Sequence, residues 1–125
     1  MEYEIKITPE DGYVHVEISG EATHTNALEM WERIAQACNQ YQCYKVLGEQ
    51  YLKKALTTSD IIDHPKLFKK AGMSQSHLIA WVDHNPRTRS TTEFIRDVLT
   101  NRFIGRGKLF NNVDEAKNWL LRDPR

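Results

Sequence analysis

The sequence has neither an excess of charge of one sign nor a long apolar run. Its 17 basic residues balance 17 acidic ones over 125 residues. A neutral chain presents no broad electrostatic field to nucleic acid or to an anionic membrane, so we expect no nucleic-acid partner. No stretch approaches the roughly 20 apolar residues that span a bilayer, and the first residues lack the basic and apolar segments of a signal peptide. These absences predict a cytoplasmic location.

Cysteine is also scarce, because the chain contains only Cys38 and Cys43. Their spacing is neither that of a CxxC pair nor that of half a four-ligand zinc set. We therefore expect both thiols to be reduced. Cys38 falls on an apolar helical stripe, which favours a small core side chain over a reactive thiol.

Catalytic signatures are missing as well. The chain has no nucleophile elbow, phosphate loop or dinucleotide fingerprint. The dipeptides Asp63-His64 and Asp83-His84 each stand shortly before a proline, and His24 offers a further nitrogen, yet none lies in a HExxH frame. The turn chemistry of Asp near Pro explains these dipeptides equally well. We predict a protein that is not an enzyme and has no catalytic residue, cofactor or metal.

Successive segments of the chain show apolar spacings that are typical of strands and of helices in turn. Apolar residues occupy every second position over 3–7 and again over 14–18, on either side of a turn at 9–12, which predicts a β-hairpin. A helical pattern follows, with Asn26 as the expected N-cap. A strand is expected over 44–50.

The middle of the chain contains a helical region that Pro65 interrupts. Pro65 lacks an amide donor and pushes the residue before it toward extended geometry. We expect one helical turn up to about Asp63 and a new helix over 65–71. Residues 77–82 are apolar on both faces, which predicts a central strand that is covered above and below.

The last third predicts two helices with a short strand between them at 107–110. Ser90 and Glu93 form a capping box for the first of these helices, and Asn112 caps the second. The first helix carries an apolar stripe of Phe94, Ile95, Val98, Leu99 and Phe103. The whole order predicts one α/β domain over 1–125, with a mixed sheet of about five strands, mainly parallel after the hairpin, and about four helices.

The ending of the chain resembles that of the SpoIIAA-like proteins of the STAS and Sec14-like group. The similarity lies in a pattern of Phe, polar residues, Asp/Glu-Glu-Ala and Trp-Leu after an Asn-Arg-Phe helix end, here Asn101, Arg102, Phe103, Phe110, Asp114, Glu115, Ala116, Trp119 and Leu120. The resemblance implies a STAS-like α/β fold. It also implies a non-enzymatic regulatory or ligand-binding module, associated in some members with membranes or hydrophobic ligands.

The related anti-sigma factor antagonists carry a phosphorylatable serine at the start of the helix that follows a core strand. Element order matches that position to Thr57, Thr58 and Ser59, but the family's motif of Asp, Ser-Ser or Ser-Thr, and Gly is absent here. One of these hydroxyls can instead accept a hydrogen bond from a free amide at the helix start.

Helix starts also suggest where a ligand would bind. In open α/β sheets, ligands gather at the carboxyl ends of parallel strands, where helix amino ends and their unpaired amides converge. Three loops should meet there, and Arg87 and Arg89 in the third suit a phosphate or carboxylate group. The alternative is a solvated loop with ordinary caps. The candidates for this anion or ligand site are His24, Thr25, Thr58, Ser59, Asp83, His84, Arg87 and Arg89.

Two functions remain open from the sequence. The first is a regulatory or protein-interaction module with a protein partner. The second is a carrier or sensor of a hydrophobic or anionic, lipid-like ligand, at a membrane surface in some settings, with an apolar pocket that opens near Pro65. The same side chains would equally fill a core without a cavity, and an apolar helix stripe would also serve a homodimer. The pocket candidates are Phe68, Met73, Trp81, Phe94 and Phe103.

Overall fold

The computed structural model describes residues 3–54, 56–102 and 104–122. The described chain contains β1 (Tyr3–Glu10), β2 (Tyr13–Gly20), α1 (His24–Tyr41), β3 (Lys45–Leu52), α2 (Thr58–Lys70), β4 (Leu78–Asp83), α3 (Arg89–Asn101), β5 (Arg106–Phe110) and α4 (Val113–Arg122). This order confirms the predicted α/β fold. None of the helices in these described ranges is long and apolar enough to cross a membrane.

The strands form one sheet in the order β1-β2-β3-β4-β5. β1 pairs antiparallel with β2, and each later pair of neighbours is parallel. Each of the parallel strands β2 to β5 leads into a helix. The carboxyl ends of these strands and the amino ends of the four helices therefore lie along one side of the sheet, which we call the carboxyl edge.

Helices cover both faces of the sheet. α1, α2 and α3 enclose the larger core on one face, and α4 encloses a smaller core on the other. Neighbouring side chains of β3 alternate between the two, since Val46 joins the larger core and Leu47 the smaller. All six residues of β4 are buried, because this strand has helices above and below it, as its apolar sequence predicts.

The predicted division of α2 at Pro65 is wrong. The helix runs without a break through Pro65, which lies inside it. A proline in a helix interior removes one backbone hydrogen bond and costs about 3 kcal/mol. Burial of one helix face offsets this cost, since Ile61, His64, Leu67 and Phe68 are all buried there.

Two of the predicted caps are also wrong, and two are confirmed. Thr23 rather than Asn26 caps α1, by accepting a hydrogen bond from the Asn26 amide at 3.0 Å. Thr88 occupies the N-cap of α3 in place of Ser90, but its hydroxyl donates to Asp83 instead of capping the helix. Thr57 accepts from the Asp60 amide at the start of α2, and Asn112 accepts from the Glu115 amide at the start of α4, as expected.

Candidate functional site

A cavity of about 110 Å³ lies between the larger core face of the sheet and helices α1, α2 and α3. Four ring-bearing side chains contribute to its lining: Trp31, His64, Phe68 and Trp81. Trp81 lies over Gly48 of the neighbouring strand, which is its partner in the β3–β4 register. A Cβ at Gly48 would overlap the indole ring, so this glycine makes room for Trp81.

The two tryptophans are fixed by contacts at both their faces and their indole nitrogens. The ring centroids of Trp31 and Trp81 are 5.4 Å apart, and Phe68 meets Trp31 edge-on at 5.0 Å. Trp31 Nε1 donates to His64 Nε2 at 3.0 Å, and Trp81 Nε1 donates to Gln50 Oε1 at 2.9 Å. Because each indole donor is satisfied, these rings form a rigid apolar wall.

A buried polar network borders the cavity at the carboxyl edge. The Asp83 carboxylate accepts from the Thr88 hydroxyl at 2.7 Å and from the Thr92 hydroxyl at 2.9 Å. Gln50 Nε2 donates to the same carboxylate at 3.2 Å, and the backbone N–H of Asn85 donates to it at 2.9 Å. The network ties the end of β4 to the start of α3 and, through Gln50, to Trp81 in the cavity wall.

His64, one of the residues that line the cavity, has an unpaired donor. Its Nε2 accepts from Trp31, so the proton of the neutral ring is on Nδ1. That Nδ1 atom is buried, and no hydrogen-bond partner for it lies among the described residues. Desolvation by burial, reinforced by His24 and opposed by Asp60, lowers the pKa of His64 to about 4, so the ring is neutral near pH 7. A buried unpaired N–H is costly unless a ligand or water accepts from it.

A second polar group lies at the same edge on the α4 side of the sheet, and we call it the histidine–glutamate cluster: His15, Glu17, Glu49, Tyr51 and His84. His15 Nε2 is 2.6 Å from Glu49 Oε2, and His84 Nε2 is 2.9 Å from Glu49 Oε1. The Tyr51 hydroxyl donates to Oε1 at 3.1 Å, and its ring stacks on that of His84 at 4.4 Å. Burial acts to raise the pKa of Glu49, but hydrogen bonds from His15, His84 and Tyr51 outweigh it, so the pKa lies below its usual value.

The residues predicted for an anion site do not form one group. Asp83 is buried and accepts hydrogen bonds, which leaves it unsuited to contact an anion. His84 turns to the opposite face of the sheet to reach Glu49, and Arg89 pairs with Glu93 at 3.6 Å. The other candidates, His24, Thr25, Thr58, Ser59 and Arg87, are exposed along the carboxyl edge.

The residues predicted to line an apolar pocket also separate. Phe68 and Trp81 line the cavity. Met73 is buried in the larger core but is outside the cavity lining, and Phe94, predicted to line the pocket, is 51% exposed and also outside the lining. Phe103 lies outside the described residues.

Sequence reasoning missed several residues of both groups. Gln50, His64, Thr88 and Thr92 line the cavity. Gln50, Thr88 and Thr92 lie near a strand end or a helix start, which was their only sequence signal, and His64 lies in the middle of α2, where its sequence position gives no such signal. His15 lies on the polar side of the alternating strand β2, and Glu49 is an acidic residue in the buried strand β3, where a carboxylate needs a partner.

Three solved structures are similar to this chain over nearly its whole length. An anti-sigma factor antagonist from Mycobacterium paratuberculosis has a TM-score of 0.64 at 17% identity, covering 98% of this chain and 96% of that one. A DUF3478-family protein with a SpoIIAA-like fold from Shewanella loihica PV-4 has a TM-score of 0.59 at 21% identity, covering 94% and 93%. The antagonist SpoIIAA in its unphosphorylated form has a TM-score of 0.51 at 10% identity, covering 95% and 98%.

These likenesses confirm the SpoIIAA-like, STAS-like fold that the sequence resemblance implied. At such low identities they establish the fold alone. No protein-family model matches the sequence, and no curated protein matches it significantly.

Proposed function

We propose that this protein is a non-enzymatic regulatory module that binds a protein partner through the outer surface of α2 and α3. The observation that carries the proposal is the exposure of Ile62 on α2, at 60%, and of Phe94 on α3, at 51%. These are the most exposed large hydrophobic side chains in the described part of the chain. The two residues lie on helices that pack against each other, and exposed apolar side chains that join in one patch mark a protein-interaction site.

The fold supports the same function. Two of the similar structures are anti-sigma factor antagonists, which is a regulatory role. Thr58 and Ser59 are exposed in the first turn of α2, so a modification there would add charge beside the proposed surface. Association with a membrane surface, which the sequence resemblance also implies, stays a prediction.

The test compares partners captured from a lysate of the native host by crosslinking and quantitative mass spectrometry. The double variant Ile62→Lys, Phe94→Lys places two charges on the proposed surface. Leu121→Lys is the matched control, because Leu121 is 42% exposed on α4, at the opposite face of the sheet. A partner that the double variant loses and the control keeps is the expected result, and a second copy of this chain would make the module a homodimer. Equal capture by all three proteins would refute the proposal.

The cavity favours a second candidate function, the binding of a small ligand. Pockets for drug-sized ligands enclose about 300–1,000 Å³. At about 110 Å³, the cavity has room for one small aromatic or apolar molecule, and a lipid chain would need the helical layer to open. The unpaired Nδ1–H of His64 favours a ligand with a single hydrogen-bond acceptor.

Thermal unfolding with toluene and with benzaldehyde tests this candidate. Both probes are apolar rings of suitable size, but only benzaldehyde has an acceptor for His64. We expect benzaldehyde to raise the melting temperature more than toluene does, and Ala27→Leu to abolish both shifts because Ala27 lines the cavity. Gln36→Leu, on the exposed side of the same helix, is the control. If neither probe binds the parent, and native mass spectrometry shows no retained ligand, the cavity is only a defect in the core.

A further inference from the structure

We propose that the histidine–glutamate cluster is a binding site for a divalent transition-metal ion of the zinc class, with His15, Glu17 and Glu49 as ligands. The sequence-based expectation of no metal considered His24 and the two Asp-His dipeptides. The ligands proposed here are a different set, which only the pairing of β2 with β3 brings together.

Two glutamates lie side by side on one face of the sheet. Glu17 and Glu49 are direct partners in the parallel β2–β3 register, so their carboxylates extend side by side from the same face of the sheet. Like charges on paired positions of neighbouring strands repel each other and destabilise a sheet. A cation held between the two carboxylates would remove that repulsion.

The chemistry and spacing of the donor atoms suit a zinc ion. His15, Glu17 and Glu49 each offer one ligand atom, and these atoms lie within 4.8 Å of one another. Imidazole nitrogen and carboxylate oxygen are common zinc ligands, and the ligand atoms of a tetrahedral zinc ion lie about 3.3 Å apart. His15 Nε2 and Glu49 Oε2, now 2.6 Å apart, would have to separate by less than about 1 Å to admit the ion.

Side chains around the donor set already orient it. His84 holds the second oxygen of Glu49, and Tyr51 both donates to that oxygen and stacks on the His84 ring. Hydrogen bonds of this kind to a ligating carboxylate set its direction and strengthen metal binding. His84 is thus a positioning residue. The Glu17 side chain is 41% exposed, so an ion can enter from solvent and keep a fourth position open there.

Zinc titration of the chelator-treated full chain, followed by calorimetry, tests the proposal. We expect one ion per chain, and a cobalt-substituted protein with visible absorption bands of tetrahedral Co²⁺. His15→Ala and Glu17→Gln should each weaken zinc binding at least tenfold and abolish the bands. His24→Ala is the matched control, because His24 is an exposed histidine outside the cluster, and it should bind zinc as the parent does.

Circular dichroism checks that the variants fold. If His15→Ala fails to fold, Glu17→Gln still tests the proposal, since it changes a half-exposed side chain without altering its size. Failure of the parent to bind zinc at millimolar concentration would show that the cluster is a hydrogen-bonded network only. Binding that survives in both cluster variants would place the ion elsewhere, for example at Cys43. Either result overturns the assignment.

Discussion

Trp31 donates its indole N–H to Nε2 of His64 at 3.0 Å, inside the larger core. This bond joins α1 to α2, and it holds an imidazole that is only 4% exposed in its neutral form. The same pair contributes to the wall of the cavity. One hydrogen bond therefore links the burial of α2, the form of the cavity and the response of the protein to acid.

Acid should destabilise the protein through His64. In the folded state its pKa is lowered from 6.5 to about 4, so between these values the unfolded chain takes up a proton that the folded chain does not. The stabilising effect of neutral His64 is complete above about pH 6.5 and is lost as the pH falls toward 4, by up to about 3 kcal/mol. Urea unfolding at pH 7 and pH 4 measures the change. His64→Gln, which keeps an acceptor for Trp31 but does not titrate, should lose less stability over this range, and equal losses in the two proteins would contradict the assignment.

Gly48→Ala should destabilise the sheet and close the cavity. The added Cβ would overlap the Trp81 ring, which must then move off β3 into the space beside it. Overpacking of this kind typically costs about 1–3 kcal/mol. Gly107→Ala is the control, because a Cβ there would meet Ile79 O at an ordinary 3.4 Å, and it should stay within about 1 kcal/mol of the parent. Similar denaturant midpoints for the two variants would show that Trp81 can shift freely.

Thr92→Val should weaken the polar network at the end of β4. The Thr92 hydroxyl donates to Asp83 at 2.9 Å and accepts from Gln50 at 3.2 Å, so its loss leaves a buried carboxylate with one donor fewer. We expect a cost of about 1–3 kcal/mol in the free energy of unfolding. Thr91→Val makes the same chemical change at the preceding residue, which also lines the cavity, and should cost less than about 0.5 kcal/mol. Chemical denaturation of both variants measures the two losses in the free energy of unfolding, and equal losses would contradict the prediction.

Anion binding at the carboxyl edge remains a prediction of the sequence. If phosphate binds there, it should stabilise the parent by about 1.4 kcal/mol at ten times its dissociation constant, and Arg87→Ala with Arg89→Ala should abolish this gain. The control is Lys69→Ala with Lys70→Ala, which also removes two exposed positive charges but at the far end of α2. Thermal unfolding with added phosphate gives the readout, and a parent that does not respond to phosphate would end the idea.

The order of elements could be predicted because each depends on residues that are close in the chain. The apolar run at β4 indicates a strand that is covered on both faces, and the alternation in β1 and β2 indicates strands that are covered on one face. Asn112 caps α4 as predicted because a cap bonds to an amide only three residues away. The same local reasoning failed at Pro65, where the free energy of burying one helix face outweighs a local rule that opposes a continuous helix.

The strands, the helices and the layered α/β fold can be predicted from the residues alone, since they follow from the period of apolar residues and from short-range capping. Which polar groups meet depends on the three-dimensional packing. His15 and Glu49 are 34 residues apart, and Trp31 and His64 are 33 apart. Their contacts depend on strand register and on how each helix lies across the sheet. Both are set by the packing of apolar core side chains and not by the polar residues themselves.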